Sequence, residues 1–513
     1  MKKHIFHILG YFCIFLLTAC NESIPKDFTE STDTLHIYPD YANTVVPVNI
    51  APLNFKVLTD AEELVVRISA NDGDAITTSS SQMQACFPPK KWKELLKNHA
   101  DEVLTVDLFA RNEGKWRHHP SFTLKVVSDS IDRYLTFRLI EPSYSNTGKI
   151  GIYEYDMENA SMRTLINNMK FHKDPSFRTQ RCMNCHTTQQ NNPRNSVFHY
   201  RTKGGGMIVT YNGKTSIVST RVGDMVSPAI YERWHPTLPF IVFSNNTMKQ
   251  LFLTENENII EPLDNRSDIL LYDIEKNEIS YVLKSKDKCE SYPIWSSDGK
   301  YLYYCSTDSL LNNDNSRFFL QKYDLMRLTF DASTRTWSDT TRVFNASAQN
   351  KSVSKPRVSP NDKYILMTVS NYGSYHYTHQ DADLYLLDLQ SNECRPLNEL
   401  NSSEAEGYAT WSSSGRWIML SSRREDGSYV RLYFSYFDED GRAHKPFQLP
   451  HEDPTFDQSM LKNYNYPEFS TVQSTLSQRE IFSLIEEGKS VTPNYSGTIE
   501  EMDATSGASE LSR

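Results

Sequence analysis

From residue 230 onward the chain alternates apolar and polar positions in short runs, and the runs recur. Trp234-His235-Pro236-Thr237-Leu238-Pro239-Phe240-Ile241 aligns with Trp295-Ser296-Ser297-Asp298-Gly299-Lys300-Tyr301-Leu302. The same pattern returns at Val358-Ser359-Pro360-Asn361-Asp362-Lys363-Tyr364-Ile365 and at Trp411-Ser412-Ser413-Ser414-Gly415-Arg416-Trp417-Ile418. In each unit an aromatic residue or Val ends one strand, Ser, Pro, Asp or Gly make a tight turn, and an alternating strand follows. Further strands come after, as in Asp268–Ile274 and Asp383–Leu389. Four strands per repeat predict the blades of a β-propeller.

Four units are clear and two are weaker. Gly151–Asp156 reads as the outer strand of a blade, and Tyr466-Pro467-Glu468-Phe469 as the start of another without its second strand. With the strand-like stretch 204–222, five to seven blades are possible, and six is the expectation. A ring that joins strands from both ends of 141–475 would protect its edges. Residues 35–140 carry strand patterns at Leu64–Ile68, Leu104–Leu108 and Phe122–Val126, with one helix after Pro88-Pro89. That set suits an immunoglobulin-like or fibronectin-like β-sandwich. At the other end, residues 476–513 read as a helix through Ile481, Leu484 and Ile485 followed by a polar, disordered tail. The fold class is therefore all-β, a sandwich followed by a propeller.

The amino terminus changes the picture. Lys2 and Lys3 precede an apolar run from Ile8 to Leu17, which ends in Leu17-Thr18-Ala19-Cys20. This is the form of a lipoprotein signal peptide over 1–19, too short to span a bilayer. Cys20 would carry the lipid, and polar residues 20–34 would form a tether. The formal charge of the whole chain is -10, and loss of Lys2 and Lys3 makes the mature chain more acidic. An acidic balance disfavours nucleic acid as a partner and permits a basic redox partner.

Chemistry concentrates at Cys182-Met183-Asn184-Cys185-His186. Two thiols three positions apart can form thioethers to the two vinyl groups of one haem, and the following His then ligates the iron. With 8 Cys and 14 His in 513 residues, the chance expectation for this motif is on the order of 0.003 per chain. A zinc ribbon would need a second Cys pair at short spacing, and none exists. A thioredoxin-like pair would want a strand before and a helix after, whereas Pro175, Asn191, Asn192 and Pro193 mark the motif as part of a loop over 168–200. A plain disulfide leaves the His unexplained.

One covalent haem c per chain is expected, with Cys182 and Cys185 as attachment points and His186 as proximal iron ligand. His199 is the leading distal ligand, with His235, Met207, Met248, His172 and an open position as alternatives. Arg178, Arg181, Arg194 and Arg201 crowd the same loop, as propionate partners or as solvated charge. Cys86, Cys289, Cys305 and Cys394 remain. Cys289 and Cys305 flank one hairpin, but its register places Cys305 nearer Ser291, which strains a bridge. His376, His379, Asp381 and Asp383 could ligate a metal, although Tyr375–Gln380 reads as a blade loop. No Gly-x-Ser-x-Gly elbow or phosphate-binding Gly loop is present.

The Trp-Ser-Ser-Asp-Gly-Lys run at 295–300 resembles TolB-like propeller repeats. Signal, sandwich, haem motif and repeats together resemble a group of Bacteroidetes lipoproteins described as TolB-like or cytochrome c-like; Asn49–Phe55, Cys182–His186 and Trp234-His235-Pro236 carry the likeness. The resemblance implies an exported haem protein with a propeller, anchored in the cell envelope at the outer membrane, on its periplasmic or surface face. Three functions follow as expectations. One is electron transfer with the propeller as docking platform. Another is a haem-dependent oxidoreductase or peroxidase acting on a small substrate. The third is an envelope protein-binding or glycan-binding propeller with a structural haem.

Overall fold

The computed structural model describes residues 23–142, 149–169, 182–253, 260–310 and 314–496. The chain is all-β. Its amino-terminal unit has a six-stranded sheet built from Phe28–Glu30, Thr44–Pro47, Glu63–Ser69, Ala75–Ser80, Val103–Asn112 and Lys115–Val127. A second sheet of three short strands comprises Ile37–Tyr38, Phe55–Val57 and Gln84–Ala85. Phe28–Glu30 and Thr44–Pro47 both run parallel to the long strand Lys115–Val127. The expected helix forms at Pro89–Asn98, with proline in its first turn, where no amide donor is needed. It buries Trp92, Leu95 and Leu96, the i, i+3, i+4 face of an amphipathic helix, and the Trp92 indole donates to Ile50 O at 3.0 Å.

Among the described residues six antiparallel groups of four strands follow, the second and third joined by one parallel bridge at Ser267–Cys289. The sheets that start at Ser352, Glu406 and Lys288 carry the repeats read from the sequence. In their turns a Ser hydroxyl accepts the backbone N–H five residues on: Ser296 from Tyr301, Ser359 from Tyr364 and Ser412 from Trp417. The inner strands are Cys182–Gln189, Ile230–Trp234, Lys288–Trp295, Ser352–Val358, Glu406–Trp411 and Asn463–Ser470. Each packs against the next, and the last packs against the first. This is a propeller-like arrangement of six sheets.

Two expectations are corrected. The weaker units at Gly151 and Tyr466 are parts of one sheet, in which Asn463–Ser470 pairs with Tyr134–Ile140, followed by Gly151–Asp156 and Ser161–Asn167. Tyr134–Ile140 therefore belongs with the propeller-like sheets and not with the amino-terminal unit, because its partner strand arrives from the far end of the chain. That sheet is the sixth, and the first is supplied by the motif itself. Cys182–Gln189 is a strand paired with Asn192–Arg201, which pairs onward with Gly206–Tyr211 and Lys214–Val218, so these residues are no loop insertion. The asparagines and proline of 191–193 make only the turn between the two strands.

The carboxy-terminal helix forms at Gln478–Glu486, capped by the Ser477 side chain and burying Ile481 and Ile485. Beyond it, Ser490–Val491 and Asn494–Ser496 add short parallel strands to the first and second sheets. The tail after Ser490 is thus ordered as far as residue 496. One core runs without a break from the amino-terminal unit into Trp417, Phe434, Tyr464 and Phe469 of the last two sheets.

Candidate functional site

Each inner strand carries a bulge at an equivalent place, and Cys182–Gln189 has a further irregularity between Thr188 and Gln189. The first residues of the equivalent bulges are Cys185, Tyr231, Tyr292, Lys355, Tyr408 and Tyr466, with φ of 55°, 59°, 55°, 51°, 43° and 52°. A non-glycine residue in this left-handed region costs about 1–2 kcal/mol. Its sixfold recurrence marks a designed feature of the strands.

The six side chains meet in sequence. Cys185 Sγ accepts the Tyr231 backbone N–H at 3.4 Å. The rings of Tyr231 and Tyr292 lie 4.3 Å apart, and the Tyr292 hydroxyl donates to that of Tyr231 at 3.3 Å. Lys355 Nζ sits 5.3 Å from the Tyr292 ring and 5.1 Å from that of Tyr408. Tyr408 and Tyr466 are 5.0 Å apart, and Tyr466 reaches His186 at 6.5 Å. Lys355 is further enclosed by Tyr375 and Tyr377, both at 5.6 Å, and donates to Ser374 O at 3.1 Å. Burial of this ammonium lowers its pKa to about 7.

The second half of the motif thus occupies the slot filled by Tyr-Pro in two other sheets. Asn184-Cys185-His186 stands where Ser291-Tyr292-Pro293 and Asn465-Tyr466-Pro467 stand. Cys185, His186 and Cys182 are all buried. Burial pushes the Cys185 thiol up to about 12. Burial, helped by the nearby Arg138 and Arg233 charges, lowers His186 to about 3, so its imidazole is neutral. Among the described residues neither ring nitrogen of His186 makes a full hydrogen bond; the Thr136 backbone lies close enough to oppose part of the lowering. Cys182 packs in the cluster of Ile140, Ile152 and Phe198, and Cys185 in the adjoining cluster of the ring.

His199 lies across the sheet from Asn184 and next to Met207. It is buried, with Nδ1 3.5 Å from Glu232 Oε1, a carboxylate fully excluded from solvent. A carboxylate behind an imidazole is the usual support of a metal-bound His. The alternatives fare differently. His235 is held in its turn by amides of Thr237 and Leu238 donating to Nδ1, with Nε2 at 3.3 Å from Gly299 O. Met207 is core, Met248 is exposed, and His172 lies outside the described residues.

Arg194 and Arg201 are exposed, and Arg178 and Arg181 lie outside the described residues. The arginines at the motif come instead from other sheets. Arg138 Nη1 donates to Met183 O at 2.9 Å and lies 3.8 Å from Cys182 Sγ. Arg233 Nη1 and Arg357 Nη2 each approach Glu468 Oε1 at 3.4 Å. Stepping three residues back from Trp234, Trp295, Val358 and Trp411 lands on the ring; the same step from Thr188 lands on Cys185. That signal was present in the repeat and fell one unit short of being used.

Cys289 and Cys305 are free thiols. Their hairpin pairs Cys305 with Ser291 and Cys289 with Thr307, so the two are diagonal neighbours, as the register expectation had it. His376 and His379 are buried in the blade loop, where Ser354 and Gly373 hold the first, and Ser370 and Glu261 the second. Among the described residues no three His, Cys, Asp or Glu side chains converge as a ligand set for a bare metal ion. A cleft of about 1020 Å³ opens elsewhere, where the amino-terminal unit meets the sixth sheet, lined by Phe87, Tyr155, His451 and Phe456. No residue of the motif lines it.

A c-type haem asks for two free thiols, a neutral imidazole and cations for two propionates. The residue types present fit those needs: free Cys182 and Cys185, the neutral His186, and Arg138 beside Cys182. Both thiols are enclosed in this packing, so any attachment would have to precede closure of the first sheet.

No family model matches the chain, and no curated protein matches it. Among solved structures it is similar to an ancestral GH74 enzyme at 10% identity and TM-score 0.32, covering 59% of this chain and 36% of that one. It is also similar to the β-propeller domain of Cps50 (Swd1) from Myceliophteria thermophila, at 8% identity and TM-score 0.33, covering 65% and 90%. A DUF4784 family protein from Bacteroides caccae gives 8% identity and TM-score 0.29 over 72% and 96%. The all-β, propeller-like description stands on the pairing of this chain's own strands.

Proposed function

We propose that the protein is an exported, lipid-anchored c-type haem protein that transfers electrons, with the propeller as the surface on which a redox partner docks. The reading includes membership of the TolB-like Bacteroidetes lipoproteins, anchorage at Cys20 and residence at the outer membrane. The observation that carries it is Cys182-Met183-Asn184-Cys185-His186 with a buried, neutral His186 whose ring nitrogens have no side-chain partner among the described residues. Haem would supply the one-electron couple when bound. Cys182 and Cys185 would hold it covalently, and His186 would ligate the iron. His199, braced by Glu232, is the proposed second ligand. The surrounding tyrosines exclude water, which favours fast exchange of an electron over binding of a small substrate. Among the described residues no helix is long and apolar enough to cross a membrane. The amino-terminal residues that carry the anchor lie outside them.

The test is expression of the lipid-free chain with a haem-maturation system, followed by a pyridine haemochrome assay and oxidised and reduced spectra. A covalent, low-spin haem that ignores cyanide and carbon monoxide is the expected result. A high-spin iron that binds them moves the assignment to a haem-dependent oxidoreductase or peroxidase. Absence of attached haem returns Cys182 and Cys185 to a dithiol.

A further inference from the structure

We infer that Arg138, with Arg233 and Arg357, forms an anion clamp beside the motif that takes the carboxylates of a porphyrin. The identity of the ligand rests on the haem reading above; the anion chemistry does not.

Arg138 is 7% exposed, and its partners are all neutral: Met183 O, Asn465 Oδ1 at 2.5 Å and the Cys182 sulfur. Its Nε has no partner, and among the described residues no carboxylate lies within ion-pair distance. Guanidinium does not shed its proton in a protein, and a buried charge without a counter-charge costs several kcal/mol. Arg233 and Arg357 do not relieve it. They share one carboxylate, Glu468, and the Nε of Arg357 is likewise unpartnered. Burial, and then the neighbouring Arg233 charge, holds Arg357 down to about 10. The remaining carboxylate, Glu232, is 3.5 Å from His199.

Three fixed cations therefore stand around His186 and Tyr466 with, among the described residues, two carboxylates between them, one of which faces an imidazole. Arg233 lies over the Tyr466 ring at 5.5 Å, and Arg138 and Arg233 both act on His186. Planar guanidinium forks recognise carboxylates and other oxyanions with two parallel hydrogen bonds. Two propionates on one edge of a planar ring fit a cluster of such forks placed next to the attachment thiols.

The experiment uses the full mature chain prepared without haem. It is titrated with metal-free protoporphyrin IX, with its dimethyl ester and with inorganic phosphate, by porphyrin fluorescence and by thermal unfolding. The expected result is at least tenfold tighter binding of the dicarboxylate than of the ester. Arg138→Met should bring the two within about twofold and raise the unfolding midpoint of the haem-free chain, since it removes an uncompensated charge. Should Arg138→Met not fold, Arg357→Met carries the same comparison, and Arg138→Lys should retain part of the preference. Protection by phosphate without porphyrin binding keeps the clamp and removes the haem assignment. Equal binding of acid and ester, no binding of any probe, or a lowered midpoint with binding unchanged in Arg138→Met overturns the clamp and leaves that arginine a structural residue.

Discussion

Replacing Lys355 with Met should change the pH dependence of stability in a way that nothing else in the ring can imitate. The ammonium is buried among the rings of Tyr292, Tyr375, Tyr377 and Tyr408, and burial lowers its pKa from 10.5 to about 7. A base whose folded pKa is depressed binds fewer protons folded than unfolded between those two values. Its cost is thus fully present below about pH 7 and fades as pH rises toward 10.5. Three and a half units correspond to roughly 5 kcal/mol at full extent, of which about 2 kcal/mol is recovered between pH 7 and pH 9. Loss of the Lys355 to Ser374 hydrogen bond and of the ring contacts adds an offset to the variant that is the same at each pH. Denaturant midpoints of the two proteins at pH 7, 8 and 9 give the difference directly. The stability of Lys355→Met relative to the parent should fall by about 2 kcal/mol across that range. Groups titrating elsewhere cancel in the difference. A relative stability that stays level would show that Lys355 keeps its proton in the fold, and the account of the ring would fail.

Other consequences can be checked alongside. Glu290 is raised from 4.5 to about 8, chiefly by burial and next by Asp268; an acid raised in the fold loses stability as pH climbs from 4.5 through 8. Glu290→Gln should therefore stabilise by about 2–3 kcal/mol at pH 7 and by little at pH 4.5, read from urea unfolding at both. His235→Ala removes the acceptor for two turn amides and should cost about 2–4 kcal/mol, while leaving the spectrum of any attached haem unchanged, which would exclude it as a ligand. In haem-free chain, Cys86 should react with a thiol reagent in the native state and Cys289 and Cys305 only on unfolding, as followed by mass spectrometry; native labelling of the latter pair would contradict their burial.

Much of the fold was legible because its turns are chemical. The Ser-x-Asp-Gly tetrad at 296–299 and the Ser-x-Ser-Gly tetrad at 412–415 announce themselves by hydroxyl-to-amide bonds that depend only on local sequence. The helix at Pro89–Asn98 was equally local. What stayed hidden was non-local. The pairing of Tyr134–Ile140 with Asn463–Ser470 joins residues more than three hundred positions apart, and neither strand contains a signal naming the other. The motif reads as loop because Pro175, Asn191, Asn192 and Pro193 flank it, and Cys182–Gln189 lacks the aromatic residues of most sister strands. Its bulge is filled by Cys and His where two of them carry Tyr and Pro. Arg138, Arg233 and Arg357 were missed because no spacing along the chain relates them to Cys182; only the ring of sheets brings them to it.

The strand that completes the sixth sheet has a consequence for the order of events in biogenesis. Asn463–Ser470 packs against both Tyr134–Ile140 and the motif strand Cys182–Gln189. Because it is the last of the inner strands to be made, the face of Cys182–Gln189 that it covers is completed only at the end of synthesis. If the protein is exported and carries haem as proposed, a maturation enzyme would reach that face most readily before residues 463–470 are in place.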